Sequence, residues 1–218
     1  MRKTVLCALL GAALVPCGSA LAQDAAKGFY AGISLGQSKF KDACSSEPEV
    51  TVTSCKDNDT AWKLFGGYQF TPNLAVEFGY NDFGKAKGTA TFAFANIPAP
   101  GTTATGSADV AVEATAWELT GIGSWPLANH FSIYGKLGAY YGEVKAKVNG
   151  TITNPPLGAF GGTMKDSNTN LTFGFGARYD FTNNIGLRAE WQRFSKMGGD
   201  NTGKADVDVL GVGVLYRF

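Results

Sequence analysis

WKLFGGYQFTPNLAVEFGYNDFG, residues 62–84, decides the fold class. Trp62, Leu64, Tyr68 and Phe70 share one parity, and Lys63 takes the other. After Thr71-Pro72-Asn73, the residues Leu74, Val76, Phe78 and Tyr80 again alternate, now against Glu77. Successive side chains of a strand point to opposite faces, so this period of two describes two strands, each with one apolar and one polar face. The Thr-Pro-Asn break between them is a turn signal, which makes the whole stretch a β-hairpin.

The same alternation recurs along the chain. GFYAGISLGQSKF, residues 28–40, sets Phe29, Ala31, Ile33 and Leu35 against Tyr30, Gly32, Ser34 and Gly36, and further segments run near 108–127, 131–148, 168–181, 185–197 and 204–218. With the hairpin at 60–70 and 74–92 this makes eight segments. Three connections are short: Thr71-Pro72-Asn73, Ala128-Asn129-His130 and Thr182-Asn183-Asn184. Those at 41–59, 93–107, 149–167 and 198–203 are mostly longer and rich in Gly, Thr, Ser, Pro and Asn, so they read as loops. Short turns at one end and longer loops at the other are the layout of an up-and-down barrel. A composition of 29 Gly, 12% aromatic and 17% charged residues agrees with an all-β chain. Beyond residue 22 no run of 18 apolar residues occurs, so membrane-spanning helices are excluded there.

Which side of the barrel is apolar decides between water and lipid. Lys63, Glu77, Glu118, Lys136, Arg178, Asp180, Arg188, Glu190 and Arg217 all fall opposite the alternating apolar residues. A soluble barrel showing such charges to solvent is unexceptional, so they do not decide by themselves. The apolar face does, because its aromatics form two levels. Tyr68, Phe70, Trp125, Phe131, Tyr179, Phe181, Tyr216 and Phe218 lie beside the short turns, and Trp62, Tyr80, Trp117, Tyr141 and Trp191 lie six to ten residues further along. At roughly 3.4 Å per residue and a tilt of about 40°, that separation suits an apolar band about 25 Å tall between two interfacial girdles. The expected fold is an eight-stranded antiparallel transmembrane β-barrel, with the charges enclosed and the apolar face in lipid.

The N-terminus agrees with export. Arg2 and Lys3 precede an apolar stretch from Val5 to Val15, a break, and Ala20-Leu21-Ala22, which reads as a signal peptide cleaved after Ala22, leaving 23–218 as the barrel. A lipoprotein signal at Cys17 is disfavoured by Pro16 before it. Cys7 and Cys17 leave with the signal, and Cys44 and Cys55 are expected to pair, because exported chains meet an oxidising compartment. One His and two Cys do not supply a usual metal site, and no cofactor is expected. A net charge of +1, with no basic run interleaved with aromatics, argues against nucleic acid as a partner.

WKLFGGYQFTPNLAVEFGYNDFG and LTFGFGARYDFTNNIGLRAEWQRF, residues 62–84 and 171–194, resemble paired strands of the OmpA-type transmembrane domain, related in turn to the small Opa, Ail and OmpX barrels. The resemblance implies a lumen packed with charge pairs, to which Lys63, Glu77, Glu118, Lys136, Arg178 and Arg188 would belong. The last strand ends on Phe218, similar to the C-terminal signal read by the barrel-assembly machinery, which implies that machinery and periplasmic chaperones as partners in biogenesis. Because the chain stops there, the peptidoglycan-binding domain of full-length OmpA proteins is not expected.

The one catalytic candidate is His130-Phe131-Ser132, similar to a pair in some outer-membrane lipid A deacylases. A serine nucleophile needs a base within reach and an acid behind it, whereas His130 falls in a short turn at the wrong end, so no catalytic residue is assigned. The expectation is a non-enzymatic protein of the bacterial outer membrane, surrounded by lipid and lipopolysaccharide, with a structural and surface-contact role and possible host or phage ligands at its loops. The alternative is a small diffusion porin through the enclosed charges.

Overall fold

The computed structural model describes residues 27–41, 50–95, 101–154 and 158–218. Among them run β1 (Gly28–Phe40), β2 (Val50–Lys56), β3 (Asn58–Thr71), β4 (Leu74–Ala95), β5 (Thr103–Ala128), β6 (Phe131–Asn154), β7 (Gly158–Asp180), β8 (Ile185–Gly199) and β9 (Gly203–Arg217). Every pairing is antiparallel, β1 pairs with both β3 and β9, and β4 pairs with β5. β1 and β3 to β9 therefore close a ring of eight strands among the described residues. β2 lies outside that ring, beside the far half of β4 (Cys55↔Gly88). Closure leaves no sheet edge in the band that faces hydrocarbon, where an unpaired backbone group would find no water.

The short turns use their first residue as a clasp. Thr71 Oγ1 accepts the N–H groups of Asn73 and Leu74, and Thr182 Oγ1 those of Asn184 and Ile185. From these turns the strands rise with apolar side chains outward. Leu64, Phe78, Leu137 and Phe175 are 52–63% exposed, while Lys63, Glu77 and Lys136, one residue away in each case, are buried.

The far end differs from the sequence reading. The segments 93–107 and 149–167 are largely strand, because β4 runs to Ala95, β5 starts at Thr103, β6 runs to Asn154 and β7 starts at Gly158. Likewise 41–59 contains β2 and the start of β3, and 198–203 narrows to a tight turn. The wall is consequently uneven, with β4 to β7 22–26 residues long and β1, β8 and β9 13–15. These extensions read as loops because they are rich in small Ala, Gly and Thr with little apolar contrast, and just below them, in stretches already read as strand, the polarity is inverted. Lys85, Lys87, Lys145 and Lys147 point outward, and Ala86, Ala114, Val144 and Ala146 are buried inside. That is the pattern of a sheet in water. The expected signal peptide and Cys44 lie outside the described residues.

Two β-bulges mark where the pattern turns over. One interrupts β4 between Asp82 and Lys85, with Gly84 at φ 71°, and the other interrupts β8 between Phe194 and Met197, with Lys196 at φ 53°. A bulge adds one residue and re-aims those after it. Strict alternation after inward Phe83 and Phe194 would carry Lys85 and Lys196 into the lumen. The bulges expel both lysines and place Ala86 and Met197 inside instead. Inward hydroxyls satisfy the bulge carbonyls: Ser38 donates to Phe83 O and Tyr140 to Ser195 O.

Inward rings need room, and glycines directly across the ladder provide it. Tyr30 faces Gly67, Phe65 faces Gly32 and Tyr134 faces Gly176. A methyl on Gly67 or Gly176 would stand 2.5 or 2.6 Å from the ring of its partner. Gly176→Ala is expected to lower unfolding stability by about 1–3 kcal/mol through this overpacking, measured by urea titration in lipid vesicles, and to cost less when made in a Tyr134→Leu background than in the unaltered chain.

The β8–β9 turn is tied to β7 by Asp166, whose carboxylate accepts bonds from the Asn201 amide side chain and from the backbone N–H groups of Asn201 and Thr202. The Asn201 side chain first, and Thr202 with it, hold this carboxyl below the usual aspartate range. A depressed carboxyl contributes its tie above the ordinary pKa of about 3.9 and loses it as pH falls through the lowered value. Amide exchange at Asn201 and Thr202 should be slow at neutral pH relative to an Asp166→Asn variant, and the difference should vanish in strong acid.

Candidate functional site

Midway through the barrel the polar parity of β3, β4, β5, β6 and β8 converges on one layer. Glu77 is fully buried, and Arg188 bonds both of its oxygens, at 2.7 and 3.4 Å. Lys63 reaches Glu77 at 2.9 Å and Glu190 at 3.6 Å and bonds Glu118 closely. Lys136 lies 2.9 Å from Glu190, 3.5 Å from Glu118 and 3.6 Å from Glu77. Three cations thus meet three carboxylates, and the layer is neutral as a unit. Neutral groups complete it: Gln192 bridges Glu118 and Thr172, Tyr134 donates to Glu190 at 2.8 Å, and Tyr30 donates to Glu77 at 3.4 Å. The Arg188 guanidinium lies 3.5 Å from the centre of the Phe65 ring, whose π face suits a cation that water does not reach.

The nine charges read from the sequence therefore divide. Lys63, Glu77, Glu118, Lys136, Arg188 and Glu190 form the layer. Arg178, Asp180 and Arg217 form a separate group at the turn end, with Asp180 2.8 Å from Arg217 and 3.4 Å from Arg178. Between the two groups lies an apolar layer of Tyr30, Phe65, Ala75, Ile122, Tyr134 and Leu215.

On the other side of the charges is a larger apolar plug. Phe40, Phe83, Tyr140, Phe194, Met197 and Val207 pack across the mouth, each 5% exposed or less, with the Phe83 and Phe194 rings 4.8 Å apart. Two cavities of about 20 Å³ each flank the charge layer, one bordered by Ser34, Asn81 and Phe83, the other by Gln69, Ser124 and Arg178. A cavity of that size holds about one water.

Sequence reasoning did not single out Phe65, Tyr134, Gln192, Thr172 or the plug. The first four share the inward parity of their strands, as do Phe40, Phe83, Tyr140, Phe194 and Val207 of the plug, so parity alone could have found them; Met197 depends on a bulge. The aromatics of the two levels stand outward as neighbours: Tyr68 with Phe70, Tyr179 with Phe181 and Tyr216 with Phe218 near the turns, and Trp62 with Tyr80 and Tyr80 with Trp117 at the far level. His130 is exposed in its turn, while Ser132 is buried and its hydroxyl has no hydrogen-bond partner among the described residues, so the two are not brought together.

A closed antiparallel barrel with lipid-facing apolar residues and an enclosed neutral charge layer is an integral barrel of the bacterial outer membrane. The chain belongs to the OmpA-like transmembrane domain family, whose model matches residues 24–218. It is 30% identical to outer membrane protein A of Salmonella typhi over 227 residues, covering 100% of this chain and 56% of the relative. With outer membrane protein P5 of Haemophilus influenzae it shares 28% over 204 residues, covering 91% and 52%. The chain thus spans about half the length of the curated relatives it matches. Among solved structures, Neisserial surface protein A aligns with a TM-score of 0.54 at 19% identity, covering 88% of this chain and 97% of that one, which is agreement in fold.

Glu77 touches all three cations of the layer, so Glu77→Ala should leave buried positive charge uncompensated and cost about 3–5 kcal/mol. Unfolding titrations should show Glu77→Ala far more damaging than a Glu77→Ala, Arg188→Met double change, which restores neutrality.

Proposed function

We propose that the chain works as a closed, non-enzymatic barrel that anchors a stiff extracellular sheet, with a structural role in the envelope and surface contact through the raised wall of β2 and β4 to β7. The observation that carries this reading is the apolar plug over the charge layer. An ion crossing the lumen would have to break buried pairs and then pass Phe83, Phe194 and Val207, which are at most 1% exposed. The long paired strands support the second half, since they hold their outer ends by a backbone ladder rather than by loop contacts. The same reading includes export by cleavage after Ala22, insertion through the strand ending on Phe218, and a Cys44 to Cys55 disulfide beside β2. External ligands such as host or phage molecules would meet the raised wall.

A narrow gated pore is the second reading. Its support is that Lys63 and Lys136 each lie within 4.0 Å of the same three carboxylates, so pairs can exchange without stranding a charge. Single-channel recording of the purified protein in planar bilayers separates the two. The closed reading expects no steady openings. Reproducible openings whose size changes with Glu77→Gln or Arg188→Gln would replace it with the pore.

A further inference from the structure

Above the far aromatic level the outward wall turns from apolar to basic. Following one outward parity up the strands, Trp117 is succeeded by Thr115 and Glu113 on β5, and Tyr141 by Glu143, Lys145 and Lys147 on β6. The ladder aligns Lys85 of β4, Glu113 of β5, Lys145 of β6 and Lys165 of β7 in one row, and Lys87 and Lys147 in the next. Glu113 is four residues beyond Trp117, so the row stands roughly 10 Å above the ring level once the strand tilt is allowed for. That is the height of lipid headgroups beside the barrel.

The charge is unbalanced. Lys85, Lys87, Lys145, Lys147 and Lys165 face Glu113, Glu143 and Asp82, the last one row below Lys85 with a carboxylate that accepts the Gly84 N–H, so the cations still outnumber the anions. Each glutamate is shared between two lysines, Glu113 with Lys85 at 2.9 Å and Lys147 at 3.8 Å, Glu143 with Lys165 at 2.7 Å and Lys145 at 3.1 Å. Asp109, in a higher row, is bonded to Thr89. The shared lysines keep about half of their side-chain surface open. Outward hydroxyls of Thr89, Ser107, Thr151 and Thr163 stand around them, and directly below, Phe78, Leu119, Leu137 and Leu171 are 52–63% exposed on the same strands. One continuous wall therefore offers apolar surface for acyl chains, then cations, then sugar-binding hydroxyls.

We propose that this wall of β4 to β7 binds a phosphorylated glycolipid of the outer leaflet, with acyl chains along Leu119 and Leu137, phosphates on the row of Lys85, Lys145 and Lys165 and on Lys147, and saccharide against the threonines. The inference deepens the structural role proposed above and rests on the outer-membrane placement, but not on a closed lumen, so channel openings would leave it standing.

The test uses the full chain in phosphatidylcholine nanodiscs carrying either bisphosphorylated or fully dephosphorylated lipid A, with lipid retained on the protein read by native mass spectrometry. Retention of the phosphorylated lipid should exceed the dephosphorylated form by about tenfold or more and fall with added salt. Joint Lys85→Gln, Lys145→Gln, Lys147→Gln and Lys165→Gln changes should erase that preference, and the matching Arg changes should keep it. Joint Glu113→Gln and Glu143→Gln should strengthen retention, which keeps the proposal open to refutation if the glutamine set does not fold. Equal retention of both lipids, or an undiminished preference in the folded glutamine set, overturns the proposal. So does equally tight binding of a soluble phosphorylated disaccharide without acyl chains, which would make the lysines a soluble-anion site.

Discussion

Hydrocarbon gives a backbone N–H or C=O nothing to bond, and the rest of this molecule follows from that constraint. A sheet can cross only if its last strand returns to its first, as β9 does to β1 from Tyr30↔Arg217 to Phe40↔Val207. Once the ring is closed, each strand has one face in lipid and one in a lumen about wide enough for side chains to fill. Polar residues on that inner face must then satisfy one another. Glu77, Glu118 and Glu190 do so against Lys63, Lys136 and Arg188, and the neutral sum of the layer is what makes its burial tolerable.

The same reasoning explains why polarity turns over along the strands. Within the apolar band the wall shows Phe78, Leu119 and Leu137 to lipid, and beyond it the wall shows Lys85, Glu113 and Lys145 to water. Continuing the inner pattern unchanged would have left lysines facing a dry lumen at the mouth. The bulges at Gly84 and Lys196 change the parity where the solvent changes, and they add Ala86 and Met197 to a plug whose rings, Phe40, Phe83, Tyr140 and Phe194, already hold the inner parity. The boundary between lipid and water is thus written into the backbone as well as into the side chains.

How much of this was legible in the sequence follows from period and side-chain size. Strand existence, the short turns and the lipid-facing parity were readable, because large apolar residues alternate from Trp62 to Tyr80 and from Leu171 to Leu187, with Gly66 and Ala177 the small residues within the strands. The membership of Lys63 and Glu77 in one inner layer was readable from parity. Their partners were not: Glu77 and Arg188 are 111 residues apart and meet only through strand stagger around the whole ring. The plug rings Phe40, Phe83, Tyr140 and Phe194 keep the inner parity, but only the register around the ring brings them together, and Met197 joins them through a bulge that shifts the period. The raised wall was hidden because Ala, Gly and Thr at 103–116 and 146–163 have little apolar contrast, so paired strand resembled loop.

The central claim is that the face carrying Leu64, Phe78, Leu137 and Phe175 meets hydrocarbon while Lys63, Glu77, Lys136 and Phe65 are enclosed. Paramagnetic broadening by chain-labelled nitroxide lipids, read by NMR on the protein in nanodiscs, tests it without any substitution. Side-chain signals of Leu64, Phe78, Leu137 and Phe175 should broaden strongly while those of Phe65, Tyr134 and Lys136 stay sharp. Broadening of the second group with the first left sharp would contradict the account.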